Sequence, residues 1–166
     1  MSEPHDGPVV RRARPEDLEA VGEITVAAYA EFTDGPDDRY VTLLRDAARR
    51  DREAELWVAE VDGVVRGSVT IALPDSPWRE IGRDGEGEFR MLAVSPDARR
   101  MGVGDALARL VLDRFRELGF RSIVLSSLAS MSSAHRIYER LGYHRIPERD
   151  WSPQPGVDLI AYAKDL

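Results

Sequence analysis

Two glycines in a turn, Gly102 and Gly104, are the residues of this sequence that most clearly indicate a binding site. The turn follows a predicted strand, Glu88–Val94, and leads into a helix predicted over about 103–118. Glycine lacks a Cβ atom, so a ligand can approach its backbone closely. The first turn of a helix also leaves N–H groups unpaired beside a partial positive charge. The turn is therefore suited to binding an anion, most naturally a phosphate.

Residues near the turn narrow the choice of ligand. Arg99 and Arg100 can add charge-assisted contacts to a phosphate. A Walker A loop is excluded because it needs a lysine after its last glycine, and Lys164 is the sole lysine of the chain. The Rossmann pattern is excluded because its third small position, counted from Gly102, is Leu107. The alternative is that the glycines only shape a tight connection between strand and helix.

A second segment, Ala134–Tyr143, has apolar residues at helical spacing and ends in Leu-Gly-Tyr. The pattern Arg99-x-x-Gly102-x-Gly104 resembles the acetyl-CoA pyrophosphate loop of the GNAT superfamily of N-acetyltransferases. The second segment resembles that family's fourth helix, with its usual tyrosine. The resemblance is close from Glu88 to about residue 146, and the order of the predicted elements extends it over nearly the whole chain.

The resemblance implies that acetyl-CoA is the co-substrate and lies along the predicted strand. In the family, the pantetheine arm pairs with this strand as if it were another strand, and the next strand, here Ser122–Ser126, splays away. We expect the N–H of Leu92 to stabilise the oxyanion. Met131 stands where the family often has an asparagine that contacts the pantetheine arm, and we interpret it as core filler. The residues expected to bind the cofactor are Leu92, Ala93, Val94, Arg99, Arg100, Met101, Gly102, Val103, Gly104 and Asp105.

Transfer to an amine requires that the amine be neutral. At neutral pH this costs roughly 4–5 kcal/mol for a lysine-like amine and about 1 kcal/mol for an α-amine. Glu88 is the candidate general base, because it lies four residues before Leu92, an even spacing that places both on one face of the strand, and because the resemblance matches it to the glutamate of the histone acetyltransferase branch. The alternative is that Glu88 is a solvated carboxylate at the strand end. Glu86 is the reserve candidate for the general base. The sequence has no cysteine, so direct attack by the amine in a ternary complex is the simplest route.

Other side chains have both a functional and a structural interpretation. The resemblance implies that Tyr138 donates a proton to the CoA thiolate, although its helical position is also typical of a core residue. His135 is predicted to lie at the surface of the same helix. Trp78, Trp151 and Tyr29 either line an acceptor pocket or are ordinary packing residues.

Composition excludes several classes of function. The chain has 166 residues, a formal net charge of −7 and no cysteine, which disfavours a nucleic-acid partner and a disulfide framework. No apolar run is long enough to span a membrane. The three histidines lack metal-ligand spacing, so no metal is expected. Residues 1–8 are expected to form a flexible tail without the pattern of a signal peptide, which indicates the cytoplasm.

The pattern of elements predicts a single α+β domain over residues 1–166. A mixed central sheet of about seven strands is flanked by about four helices, with a splayed strand pair that holds acetyl-CoA. The predicted strands cover 9–13, 55–61, 64–73, 88–94, 122–126, 143–146 and 159–163, and the predicted helices cover 15–29, 39–50, 103–118 and 134–141.

The sequence thus predicts an N-acyltransferase that moves an acetyl group from acetyl-CoA to a primary amine of a small molecule or a protein. Two other functions remain open at this point. One is a catalytically inactive module that binds acyl-CoA and senses its level. The other is a nucleotide-phosphate binder that uses the same turn. Analogy with the family also suggests a homodimer.

Overall fold

A computed structural model describes residues 7–166 of the chain, so that most of the predicted tail, residues 1–6, lies outside the described residues. Over the described range, eight strands form one mixed sheet that is accompanied by five α-helices. This confirms the predicted α+β domain, with one strand and one helix more than expected. The strands are β1 (Val9–Arg12), β2 (Glu55–Val61), β3 (Val64–Ala72), β4 (Glu86–Val94), β5 (Ser122–Leu128), β6 (His144–Arg145), β7 (Trp151–Gln154) and β8 (Val157–Asp165), and the helices are α1 (Leu18–Tyr29), α2 (Arg39–Arg45), α3 (Ala47–Glu53), α4 (Val103–Glu117) and α5 (Ser132–Arg140).

The sheet has the strand order β1-β2-β3-β4-β5-β8-β6, with β7 paired to β8. Strands β1 to β4 form an antiparallel series of neighbours, and β5 to β8 form a second antiparallel group. The two groups meet at the parallel pair of β4 and β5. Helix α4 connects these two strands, as a parallel connection requires.

Helix α4 covers one face of the sheet because its apolar residues recur every three or four positions. Leu107, Val111 and Phe115 are fully buried and belong to the largest core cluster. Helix α5 packs beside it and adds Tyr138 to the same cluster. Helices α1 to α3 pack on strands β2 to β4, where the residues of two smaller clusters lie. The sheet is therefore covered on both faces.

The single helix predicted over 39–50 is wrong, because the chain breaks at Asp46 into α2 and α3. The carboxylate of Asp46 accepts a hydrogen bond of 3.1 Å from the amide of Arg49 and so caps the second helix. The buried Arg50 then donates to the carbonyl oxygens of Leu43 and Leu44, at 3.0 and 2.9 Å. These bonds satisfy carbonyl groups at the end of α2.

Strand β4 contains a bulge at the point where the cofactor was expected to lie. Arg90 pairs with Thr70 and Ala93 pairs with Ser68, so β4 has two residues where β3 has one. Met91, in the bulge, has a φ of 53°. A bulge reverses the alternation of side chains beyond it.

Candidate active site

Strands β4 and β5 separate after a short parallel ladder. The ladder pairs Glu86–Glu88 with Ser122–Val124, and β4 continues beyond it along β3 alone. Strand β5 meanwhile stays paired with β8 as far as Leu128. The carboxyl-terminal halves of the two strands thus flank an opening, which is the predicted splay.

A cleft of about 640 Å³ leads to this opening. It begins at the turn before α4, passes the amino-terminal residues of α5 and the end of α1, and reaches Leu92 in β4. The turn predicted to bind phosphate and the strand predicted to bind the pantetheine arm therefore lie on one continuous cleft.

The backbone of the turn is shaped for glycine at Gly102. This residue has a φ of 78°, and Arg100, two positions earlier, has a φ of 70°. A Cβ atom on Gly102 would meet nothing within 4 Å, so the dihedral angle rather than space favours glycine there. The first hydrogen bond of the helix runs from the amide of Ala106 to the carbonyl of Gly102, at 3.0 Å. The amides of residues 103–105 consequently have no acceptor inside the helix.

Most residues predicted to bind the cofactor line the cleft. Ala93 does not, because it lies between Leu92 and Val94 and so faces the opposite side of β4, in the same core cluster as Met91. Met101 is also absent from the lining, and its side chain is 47% exposed. The predicted residues that line the cleft are Leu92, Val94, Arg99, Arg100, Gly102, Val103, Gly104 and Asp105. Their contacts with a cofactor stay a prediction.

The described residues that line the cleft carry more positive than negative side chains. Asp105 is paired with Arg140 at 2.5 Å and with Arg109 at 3.3 Å, and the bond from Arg140 lowers the pKa of this carboxyl. Arg136 and Arg140 line the cleft but were not found from the sequence, since the helix pattern alone does not show which face meets a ligand. The charged lining residues are Arg99, Arg100, Arg136, Arg140, Glu31 and Asp105.

A smaller cavity of about 60 Å³ lies at the end of the cleft. Its walls come from the separated parts of β4 and β5 and from Tyr29 and Tyr40. Tyr29, Leu92 and Met131 line both the cleft and this cavity. We call the smaller space the inner cavity. Met131 also packs against the core cluster of Tyr29, in agreement with its interpretation as core filler.

Tyr138 lines the inner cavity. Its ring packs edge-on against Phe89 and Tyr143, with centroids 5.7 and 5.8 Å apart. Burial raises the pKa of its hydroxyl, so Tyr138 stays protonated at neutral pH and can donate a proton. Tyr138 is thus a core residue that also borders the inner cavity, so its position alone does not decide between the two interpretations. Its catalytic role stays a prediction.

Glu88 is fully buried, and the loop before β4 surrounds its carboxylate. The oxygens accept hydrogen bonds of 2.8–3.1 Å from the amides of Glu80, Ile81 and Gly82. Burial raises the pKa of this carboxyl, while the three amides and Arg90 act in the opposite direction. Glu88 lines neither the cleft nor the inner cavity. Its role as general base stays a prediction.

The argument that Glu88 shares a face with Leu92 is wrong, because it assumed an unbroken strand. Phe89 and Leu92 both pack against the cluster under α4 and α5, although they are three residues apart. Glu88, next to Phe89, points to the opposite face, as strand alternation requires before the bulge. Because of the bulge at Met91, Glu88 and Leu92 lie on opposite faces of β4 although their spacing is even.

Glu86, the reserve candidate, is held in an ion pair with Arg149. Both of its oxygens accept hydrogen bonds of 2.9 Å from the guanidinium group, and the amide of Arg83 adds one of 2.8 Å. The bonds from Arg149 hold the pKa of Glu86 below its ordinary value. A carboxylate with a lowered pKa is a weaker base.

Glu80 is the acidic residue of the inner cavity, and sequence reasoning missed it. Its oxygen Oε1 lies 3.0 Å from Nε of Arg90, which also lines the cavity. Burial raises the pKa of Glu80, and Arg90 partly opposes this. Glu80 stands in an irregular loop, where no periodic pattern could have indicated its direction.

A second polar pair at the cavity joins Ser127 and His135. The hydroxyl oxygen of Ser127, a residue that lines the inner cavity, lies 3.0 Å from Nε2 of His135. The prediction that His135 lies at the surface is wrong, since it is 9% exposed and packs beside Tyr162 at 5.5 Å. Burial lowers the pKa of its imidazole, so the ring is neutral at pH 7.

The three aromatic residues considered for an acceptor pocket have different positions. Tyr29 lines both spaces. Trp78 is buried beneath them, with the guanidinium groups of Arg49 and Arg90 each 5.4 Å from its ring. Trp151 reaches the site only indirectly, through a hydrogen bond of 3.2 Å to Ser126.

Within residues 7–166, no group of three or more histidine, aspartate or glutamate side chains is arranged to hold a metal ion. No helix in the same range is both long and apolar enough to cross a bilayer.

Comparison with known sequences identifies one family. The sequence profile of the acetyltransferase (GNAT) family matches residues 18–143. A mycothiol acetyltransferase from Cellulomonas flavigena is 32% identical over 133 residues, which cover 70% of this chain and 38% of that protein. The chain thus spans less than two fifths of the length of this relative.

Comparison with solved structures shows the same fold. A GNAT-family acetyltransferase from Staphylococcus aureus Mu50 superposes with a TM-score of 0.75 at 16% identity, covering 96% of this chain and 99% of the other. The protein yncA from Salmonella typhimurium, solved with its cofactor acetyl-CoA, superposes with a TM-score of 0.67 at 20% identity, covering 97% and 95%.

Proposed function

Because this chain belongs to the acetyltransferase (GNAT) family, we propose that it transfers an acetyl group from acetyl-CoA to a primary amine of a small molecule or a protein. The observation that carries the proposal is the continuous path from the turn at Gly102 through the cleft to the inner cavity. A long cofactor with an anionic end and a reactive end fits such a path. The solved structure of yncA with acetyl-CoA supports this choice of cofactor.

The turn supplies what a diphosphate requires. The free amides of residues 103–105 point along a helix amino terminus, and Arg99 and Arg100 stand beside them. The cofactor's contribution to the chemistry is an acetyl thioester that an amine can attack. The gap between β4 and β5 leaves the backbone of β4 open to a new partner in place of β5, which suits the amides of the pantetheine arm.

Residues at the end of the cleft serve the acyl transfer. Leu92 lies where the cleft joins the inner cavity, so we assign its N–H to the oxyanion that develops on the thioester carbonyl. Tyr138 holds a proton at its hydroxyl and donates it to the departing sulfur. The chain has no cysteine to form an acyl-cysteine, so the amine attacks the thioester directly.

An acceptor screen that follows CoA thiol release tests this function. We expect thiol release with at least one class of amine, together with one acetylated amine formed for each thiol. Binding of acetyl-CoA without release in the presence of every amine would favour the inactive sensing module. A homodimer and a cytoplasmic location stay predictions, which sedimentation and cell fractionation test separately.

A further inference from the structure

We propose that Glu80 is the carboxylate that receives the proton of the acceptor amine, and that Glu88 is a positioning residue that holds Glu80 at the inner cavity. The inference rests on the proposed acetyltransferase function and assigns its proton acceptor. The general base is then Glu80, a loop residue that the fold brings to the site, and not Glu88, the strand residue that the resemblance indicated.

The position of Glu80 is the first part of the argument. Among the described residues that line the inner cavity, Glu80 is the only acidic one. Leu92 and Tyr138 line the same space, so the carboxylate shares a small volume with the groups assigned to the oxyanion and to the leaving sulfur. A general base must lie within hydrogen-bond reach of the proton that it removes. A cavity of about 60 Å³ brings an amine that enters it close to Glu80.

The engagement of Glu88 is the second part. Its side chain has no exposed surface, and its oxygens already accept bonds from three backbone amides. The amide of Glu80 is one of these donors and contacts both oxygens, at 3.0 and 3.1 Å. Glu88 therefore fixes the backbone of Glu80 while the side chain of Glu80 faces the cavity.

The surroundings of Glu80 raise the pKa of its carboxyl, chiefly through burial. Burial and the nearby Glu88 raise the pKa of Glu80, and Arg90 lowers it through a contact of 3.0 Å. Arg90 is itself fixed, since it donates to the carbonyl of Trp78 at 3.3 Å and lies over that ring. Tyr40 also faces Glu80, and burial raises the pKa of this phenol so that it stays neutral. The carboxylate of Glu80 is thus a stronger base than a glutamate whose pKa is not raised.

The proposed sequence of bonds is balanced. The acceptor ammonium gives one proton to Glu80 and becomes a neutral amine. The nitrogen forms a bond to the thioester carbon, the carbon–sulfur bond breaks, and the nitrogen loses its second proton to solvent. Tyr138 gives a proton to the departing sulfur and regains one from solvent. Glu80 then releases its proton, so one amide, one thiol and one proton are formed.

The test compares the pH dependence of kcat/KM in Glu80→Gln and Glu88→Gln with that of the native protein. The amide side chain introduced by Glu80→Gln still accepts a bond from Arg90 but takes no proton, so we expect a loss of a hundredfold or more at pH 7. The acidic limb of the native protein should be replaced by one that follows the pKa of the acceptor amine. The affinity for acetyl-CoA, measured by calorimetry, should stay within twofold. Glu88→Gln should lower kcat and keep an acidic limb, because Glu80 is still present. Glu80→Asp should restore the limb at a reduced rate. Asp113→Asn, at an exposed carboxylate of α4, is the matched charge control and should match the native protein.

Three results would overturn the assignment. An acidic limb in Glu80→Gln with the same midpoint as that of the native protein removes Glu80 from the proton transfer. Loss of the limb in Glu88→Gln, with Glu80 intact, returns the role to Glu88. Loss of the limb in His135→Gln instead makes the pair of Ser127 and His135 the proton acceptor. Each of these requires measurable acetyl transfer by the native protein, whereas a native protein that acetylates no amine overturns the proposed function and this assignment together.

Discussion

The amide of Glu80 donates hydrogen bonds of 3.0 and 3.1 Å to the two carboxylate oxygens of Glu88. A loop without regular structure is thereby attached to a strand at the inner cavity. The bond connects a residue that faces the cavity to one that is fully buried. Changing Glu80 should therefore affect proton transfer, whereas changing Glu88 should affect stability.

Replacing Glu88 by alanine should destabilise the protein. The change leaves three partly buried amides without their acceptor, and each such loss costs about 1–3 kcal/mol before water compensates. We expect the free energy of unfolding to fall by about 2–4 kcal/mol in urea titrations. Asp113→Ala, at an exposed carboxylate, should change it by less than about 0.5 kcal/mol. A similar small change in both variants would contradict the anchoring role of Glu88.

Replacing Tyr138 by phenylalanine should slow turnover without weakening cofactor binding. The ring stays packed against Phe89, while the hydroxyl that donates to the sulfur is lost. We expect kcat to fall tenfold or more, which is about 1.4 kcal/mol in the activation barrier. Tyr143→Phe is the matched control, because the buried Tyr143 hydroxyl has no hydrogen-bond partner among residues 7–166. Equal turnover in the two variants would remove Tyr138 from the mechanism.

Replacing Gly102 by valine should weaken acetyl-CoA binding. Gly102 and Gly119, at opposite ends of α4, have φ angles of 78° and 81°, and a Cβ on either would meet nothing within 4 Å. Valine in this conformation costs about 1–2 kcal/mol or more at both positions, so both variants should show a similar fall in Tm. Only Gly102→Val should lose tenfold or more in affinity by calorimetry. Equal affinity in the two variants would show that the turn does not bind the cofactor.

The ion pair of Glu86 and Arg149 should contribute to the free energy of unfolding by an amount that depends on pH. Arg149 lowers the pKa of Glu86 in the folded protein, so the stabilisation is present above the unfolded pKa of about 4.3 and is lost as pH falls through the folded pKa. We expect the native protein to exceed Glu86→Gln by about 1–3 kcal/mol at pH 7, and by progressively less below about pH 4. The measurement is urea unfolding at a series of pH values.

Glu117→Gln is the control for that series. The Glu117 side chain is 72% exposed and contacts Arg114 at 3.3 Å. An exposed pair of this kind contributes little to stability. A difference between native protein and Glu86→Gln that stays constant down to acidic pH would contradict the linkage to the Glu86 carboxyl.

The sequence predicted the central part of the fold well because its signals there are local. Gly102 fixes the turn before α4, and the spacing of Leu107, Val111 and Phe115 marks the buried face of that helix. These features depend on neighbouring residues only. The path of the cleft then follows from the order of strand, turn and helix.

Features that depend on distant contacts were not predictable. Strand β7 was not predicted, because Pro153 is typical of a loop. The strand forms through the pairing of Trp151 and Gln154 with β8. Proline is tolerated there because, within residues 7–166, β7 pairs with β8 and with no other strand. The bulge at Met91 arises from pairing with β3, and it reversed the face assigned to Leu92 relative to Glu88.

Glu80 shows the limit for the site itself. The segment around Glu80 shows no periodic pattern of apolar residues, and the ion-pair partner Arg90 is ten positions further along the chain. Only the folded chain shows that the loop lies over β4 and directs this side chain to the cavity. A resemblance carried by strand and helix motifs could therefore indicate Glu88 but not Glu80.

A crystal structure of the protein with acetyl-CoA tests the central claim most directly. The account predicts that the diphosphate accepts hydrogen bonds from backbone amides between residues 99 and 105, and that the thioester lies between Leu92 and Tyr138 at the entrance to the inner cavity. A diphosphate bound elsewhere, with the turn at Gly102 and the gap between β4 and β5 unoccupied, would contradict it.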